Sequence, residues 1–252
     1  MAKIIAPFKI SGTLDDINFS VTADGNNYAR MKGKTGVTSE EFNNNPIFDR
    51  IRDHGKEWGY CAKKAVSFRQ MAVQLYKKAK DGSFAGRSNK ILLEILEEDS
   101  VNPKGSRTFE EGIKSEYIPE ILIGFEGNKN RPLDKVLKTA YQYNEGENTL
   151  TLSGFDPEKH LQWPEEEATH VQLQMAVADW DATTETFETN YSEEITLEKN
   201  QKTDILLKTD TLEGKNWKIV YLYIGFALQQ RRKFKILHRK NNTATIINCH
   251  KT

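Results

Sequence analysis

At about Val136 the spacing of the apolar residues changes, and that change constrains the fold more than any other feature of the chain. Before it, between Ile47 and Ala79, apolar or small residues recur every three or four positions, through Ile51, Trp58, Cys61, Ala65, Phe68, Met71 and Leu75. Such spacing gathers them on one side of a helix. After it come seven short runs rich in β-branched and aromatic residues, among them TLTLSGF, THVQLQMAVADWD, NWKIVYLYIGFALQ and TATIINCH, separated by turn residues. Helices followed by strands predict an α+β protein in which a helical domain precedes an antiparallel β-sandwich of immunoglobulin-like size. The cysteine and tryptophan spacing of antibody domains is absent, so the likeness is one of architecture alone. Trp217, Ile219, Tyr221 and Tyr223 alternate with Lys218, Val220, Leu222 and Ile224, which makes this strand apolar on nearly both faces and the best candidate for a central strand. Gly225 marks a candidate bulge in it.

The helical part has its own punctuation. Thr38 with Glu41 forms a capping-box pattern, and Asn45 before Pro46 is a cap followed by a first-turn proline. The periodic stretch then runs to about Lys80 as one long helix or two collinear ones, with Gly55 and Gly59 as its expected weak points. Asp81-Gly82 ends it, SNKILLEILEED predicts a second helix burying Ile91, Leu92, Ile95 and Leu96, and Thr108 with Glu111 opens a short third one. The stretch GFEGNKNRPL, rich in glycine and asparagine, reads as a domain boundary. The expected division is a β-ribbon arm over residues 1–35, a helical domain over 36–135 and a sandwich over 136–252.

Ahead of all this the chain alternates. Phe8 and Ile10 share a face of one extended run, Ile17, Phe19 and Val21 share a face of the next, and Tyr28 and Arg30 lie on the returning strand, with Ser11-Gly12-Thr13, Asp15 and Asp16 supplying an earlier turn and Asp24-Gly25-Asn26 a later one. A ribbon of two or three short strands buries too little apolar surface to offset the ordering of its backbone. It needs a partner, either the chain's own C-terminal sheet or a neighbouring subunit. The second is the preferred reading, with Ile17, Phe19, Val21, Tyr28, Arg30 and Lys32 as the assembly interface.

Balanced totals of 36 basic and 36 acidic residues give no global field. Locally the charge is segregated: Arg30 to Lys90 holds 14 basic and 6 acidic residues, Glu145 to Asn200 holds 2 and 14, and Gln229 to Thr252 holds 7 and none. Solvated faces account for this simply, and complementarity between subunits, which favours head-to-tail contacts, accounts for it more sharply. A third reading has Arg231, Arg232, Lys233, Lys235, Arg239 and Lys240 gripping phosphates with help from Lys77, Lys78 and Lys80. Only Phe234 interleaves with the C-terminal cations and no nucleic-acid module is present, so nucleic acid is not an expected partner.

Familiar chemistry is absent from the spacing. GSFAGRSNK fails as a phosphate-binding loop, because Gly82 and Gly86 stand too close, arginine replaces lysine and a helix precedes it. His54, His160, His170, His238 and His250 are scattered, and Cys61 and Cys249 are far apart, so neither a metal centre nor a disulfide framework is expected, and no cofactor. Cys61 lies on the apolar side of its helix, as a buried thiol would. Asp179 and Asp181 flank Trp180 and would share a strand face, which would suit acid–base work or a calcium ion, but paired acids are common in a strand already acidic and the solvated reading is preferred. MAKIIAPFKISG has no secretory h-region and nowhere do 18 apolar residues run together, so a soluble cytoplasmic protein without membrane insertion is expected, unless a dedicated machine exports it.

The order of the pieces, KISGTLDDINFSVTADGNNYARMKG, then TSEEFNNNPIFDRIRDH, AKDGSFAGRSNKILLEIL, GFEGNKNRPL and a sandwich, resembles an uncharacterised family widespread in Bacteroidetes. The resemblance implies a bacterial source and a two-part fold, and no activity. The front ribbon followed by R-x-K and a helix entered through asparagine and proline is also loosely similar to the arms of virion and phage-tail-like subunits. The functional expectation is a non-enzymatic structural protein that self-associates into a ring, tube or filament. Its rival is a ligand- or carbohydrate-binding module using Trp163 or Trp180.

Overall fold

The alternation at the front of the chain produces four strands, one more than the longest ribbon expected. β1 (Ala2–Ile4), β2 (Gly12–Leu14), β3 (Ile17–Val21) and β4 (Asn27–Met31) form an antiparallel sheet in the order β1-β4-β3-β2. This is a computed structural model that describes residues 2–22, 25–33, 36–214, 216–231 and 233–251. Asp24 of the expected turn, Lys34 and Arg232 lie outside the described residues. Phe8 and Ile10 stand between strands, and the β2–β3 turn falls on Asp15 and Asp16, with Asp15 at φ 48° as a two-residue hairpin demands. Two of the three expected caps form: Thr38 Oγ1 accepts from the Glu41 N–H at 3.1 Å to open α1 (Ser39–Asn44), and Asn45 Oδ1 accepts from the Ile47 N–H at 3.1 Å to open a 3₁₀ turn, whereas Thr108 makes no side-chain cap and turns its hydroxyl to Asp99. These elements belong to a unit spanning Met1–Asp49, and a second unit spans Arg50–Thr252.

In the second unit, α2 (Asp49–Met71) continues through both Gly55 and Gly59 and breaks instead at Ala72, where φ −112° and ψ 40° leave the helical region before α3 (Val73–Lys78). α4 (Phe84–Glu97) buries the four apolar residues expected of it. Three short helices follow, α5 (Phe109–Gly112), α6 (Ile118–Leu122) and α7 (Leu133–Val136).

Thereafter the chain is mostly strand: β5 (Gln142–Asn144), β6 (Thr149–Phe155), the turn-length α8 (Pro157–His160), β7 (His170–Asp181), β8 (Thr186–Tyr191), β9 (Ile195–Glu198), β10 (Thr203–Lys208), β11 (Trp217–Gln230), β12 (Lys233–Ile236) and β13 (Thr243–Lys251). β5, β6 and β10 make a small antiparallel sheet. The larger, six-stranded sheet curls around β11 and β7, with β12 and β13 on the far side of β11, and β8 and β9 on the far side of β7. The expected central strand is therefore central. Its alternation explains the layering. Ile219, Tyr221 and Tyr223 join Ala176, Ala178 and Trp180 against the helical residues Ala65, Phe68, Tyr76 and Leu92. Val220, Leu222, Ile224 and Phe226 join Leu173, Met175 and Val177 against Leu150, Leu152, Ile205 and Leu207 of the small sheet. A strand apolar on both faces takes a layer on each, here helices on one side and three strands on the other.

The α+β class with a helical region and a C-terminal antiparallel sheet thus holds, while the boundary placed at residue 136 does not separate compact units. The helices and the large sheet share one core. GFEGNKNRPL is a seam rather than a linker: the Gly124 and Gly127 N–H groups donate to the carbonyls of Ile246 (2.8 Å) and Ala244 (2.7 Å) on β13. Gly127 fits only because it has no Cβ, which would meet the Ala79 carbonyl and the Tyr76 ring. Gly225 is likewise not a bulge, since β11 pairs with β7 without interruption there; the Tyr223 ring lies over it in the space a Cβ would take. The irregularity in β11 lies at Val220/Tyr221, against β13.

Candidate functional site

The expected assembly residues lie on two opposite faces of the front sheet. Residues opposite one another in an antiparallel pair share a face. The register sets Ile17 opposite Leu14 and Met31, and Phe19 opposite Gly12 and Ala29, so Leu14, Ile17, Phe19, Val21, Ala29 and Met31 form one apolar face across three strands. Tyr28 and Arg30 pair with Ser20 and Asn18 on the other face, where Asn18 Nδ2 also donates to Thr13 Oγ1 at 3.2 Å. Lys32 lies past the end of β4, its N–H donating to the Asp16 carbonyl. Among the described residues of this unit no apolar side chain is buried, and Leu14, Met31 and Ile47 are 67, 71 and 75 % exposed. Ten of the twenty large apolar side chains exposed among the described residues belong to it.

The two tryptophans expected to bind a ligand are placed differently, Trp180 inside the core and Trp163 partly open to solvent. Trp180 is 1 % exposed, its ring set edge-on against Phe68 at 5.8 Å in the core between helices and sheet. Alternation on a strand buried from both sides gives it no route to solvent. Trp163 is half-buried, stacked edge-on against Phe226 at 5.1 Å with its Nε1–H donating to the Pro157 carbonyl at 2.8 Å. The acids beside Trp180 are structural as well: Asp179 forms a buried ion pair with Lys218 (2.9 Å) and accepts from Asn216 Nδ2 (2.9 Å), while Asp181 caps the turn after β7 through the N–H groups of Thr183 and Thr184. Burial pushes both the Cys61 and Cys249 thiols up to about 12, which leaves them protonated and inert at neutral pH. No group of three metal-ligating side chains occurs among the described residues, and none of their helices is long and apolar enough to cross a membrane.

Two cavities hold polar groups, one unanticipated by the sequence and one in part expected from it. One, of about 480 Å³, opens where α7 meets β13 and contains Glu126 with Leu133, Leu137, Tyr141 and Thr245. Burial raises the Glu126 carboxyl to about 7, against the lowering effect of the Thr245 and Thr243 hydroxyls and the Leu133 N–H. Its Oε1 accepts from Leu133 N at 2.9 Å, and its Oε2 from Thr245 Oγ1 at 2.5 Å and Thr243 Oγ1 at 3.4 Å. Both oxygens are thus engaged by the cavity's own walls, so Glu126 ties two elements together. The other cavity lies at the junction of α3 and α4 and gathers Lys77, Lys80 and Arg239. Of the remaining cations expected to grip phosphate, Lys78 pairs with Glu194 and Lys240 with Glu166, each at 2.6 Å. Lys77, Lys80 and Arg239 were thus rightly grouped from the sequence, while Arg69, which lines the same cavity, was not among the cations expected there.

No protein-family model, curated protein or solved structure matches this chain.

Proposed function

We propose that this is a non-enzymatic structural protein that self-associates, and that the apolar face of its front sheet docks on a second copy of the chain. The observation that carries the reading is the lack of a buried apolar side chain among the described residues of 2–49: a sheet with one apolar face and no core beneath it gains its stability by covering that face. An edge strand supports a second copy as the occupant. The front sheet is itself nearly neutral, and β8, an edge strand of the large sheet, exposes Phe187 beside Glu188, an apolar and strand-forming site for another sheet to add to. A contact between unlike surfaces repeats from copy to copy and builds a ring, tube or filament according to its rotation.

The test is mass photometry with negative-stain microscopy across a concentration series. The full-length chain is expected to form assemblies that grow with concentration. The triple variant Leu14→Asp, Ile17→Asp, Met31→Asp is expected to stay monomeric with an unchanged melting midpoint for the second unit. A wild-type chain that is monomeric at every concentration overturns the reading.

A further inference from the structure

The cavity of about 600 Å³ where α3 meets α4 has an unbalanced charge. Arg69, Lys77, Lys80 and Arg239 line it, against a single carboxylate, Asp81. That carboxylate is already committed. Its Oδ1 accepts from the Ser83 N–H (2.6 Å) and hydroxyl (2.7 Å), and its Oδ2 from Arg87 Nη2 (2.7 Å) and the Lys129 N–H (2.8 Å). Arg87, which is not one of the four, balances its charge.

Arg69 is the most telling of the four. Its guanidinium is half-buried and donates to the neutral amide oxygen of Asn89 at 3.1 Å, and no carboxylate pairs with it among the described residues. Burial accordingly lowers its pKa. A guanidinium withdrawn from water without a counter-charge is costly, and a bound anion removes that cost. Lys77, Lys80 and Arg239 also have no ion-pair partner among the described residues.

The walls are held in place before any ligand arrives. The fully buried Asn128 donates from Nδ2 to the carbonyls of Arg239 (3.3 Å), Lys240 (3.0 Å) and Asn242 (2.9 Å). Asn242, also fully buried, donates from Nδ2 to the Lys78 carbonyl at 2.9 Å. The turn that carries Arg239 is thereby fastened to the end of α3. Gly82 and Ala85, at the start of α4, face the same space, and Ser83 makes no side-chain cap there, so the positive end of a 14-residue helix adds to the field.

We propose that this cavity binds a small molecule through a phosphate or polyphosphate group held by Arg69, Lys77, Lys80 and Arg239. Four converging cations call for several negative charges close together, which a polyphosphate supplies and a single carboxylate does not. The volume falls within the range of small-molecule sites, roughly 300–1,000 Å³. A nucleic-acid strand needs a continuous basic track, and here the neighbouring Lys78 and Lys240 are neutralised by Glu194 and Glu166.

Calorimetric titration of the full chain with inorganic tripolyphosphate at low salt tests this. A single saturable site is expected. The Lys77→Ala/Lys80→Ala variant is expected to bind at least about tenfold more weakly, since each charge-assisted contact is worth that much or more. Its melting midpoint without ligand stays unchanged, and Lys240→Ala, outside the cavity, binds as the wild type does. Absence of binding at millimolar tripolyphosphate, or equal losses in Lys240→Ala, overturns the proposal. So does tighter binding of a short single-stranded DNA that weakens on Lys233→Ala/Lys235→Ala, which transfers the role to the exposed C-terminal strand. The outcome is independent of self-association, because none of the substituted residues lies in the front sheet.

Discussion

Glu126 carries the clearest pH dependence of any side chain in the molecule. Burial raises its carboxyl to about 7, well above an unfolded glutamate, so folding favours the protonated form. The stability this contributes is fully present below the ordinary carboxylate range and is lost as pH climbs through about 7. Allowing for its partial exposure, the loss amounts to about 2 kcal/mol between roughly pH 5 and 8. Urea unfolding at a series of pH values is expected to show that decline in the wild type and not in Glu126→Gln. Asp99 works in the opposite sense. Burial acts to raise its pKa, but donors from Asn102, Thr108 and Val101 outweigh it and hold the carboxyl far below its usual range, so its contribution fails only in acid. His250, whose pKa burial lowers, acts in the opposite sense across the same range, so it is the difference between the wild type and Glu126→Gln that isolates the glutamate. Nothing in the spacing of GFEGNKNRPL singled out this glutamate, because its partners Thr243 and Thr245 come from the far end of the chain.

Among the elements, α2 contains an avoidable weakness. Gly55 and Gly59 lie inside a continuous helix, and a Cβ at either would meet nothing within 4 Å. Alanine restricts the unfolded chain and favours the helix, so Gly55→Ala and Gly59→Ala are each expected to add about 0.5–1 kcal/mol in chemical denaturation. A loss would mean that the helix needs to flex there. What was legible at this scale follows from locality. Thr38 and Asn45 cap what they were expected to cap because a cap is decided within four residues, and β11 was central because its own alternation shows both faces apolar. β1 was not legible, since a three-residue strand is too short to show a period. The burial of Trp180 was missed for a different reason. Alternation assigns a face to a residue but does not say what covers that face, and here the cover is a helix from more than 100 residues earlier in the sequence, with Phe68 against its ring.

At the scale of the whole molecule, the shared core decides how the chain comes apart. Had the helices and the sheets been separate domains, as the change of period at Val136 implied, each would melt on its own. Instead Phe68 of α2 contacts both Trp180 of β7 and Phe125 of the seam, and Tyr76 of α3 lies edge-on to Tyr221 of β11. One sheet buried from both sides couples the layer above it to the layer below. Scanning calorimetry is therefore expected to show residues 50–252 unfolding in a single transition, with far-ultraviolet circular dichroism and tryptophan fluorescence coincident. Phe68→Ala, which opens a cavity at a fully buried position, is expected to cost about 3–5 kcal/mol and to lower both signals together. Separate midpoints, with the helical signal alone displaced by the substitution, would restore the boundary at residue 136. Removal of residues 1–48 provides the contrast. None of its described residues belongs to either apolar core, so its loss is expected to leave the transition in place while abolishing concentration-dependent assembly. Folding and association would then prove to be carried by different parts of one chain.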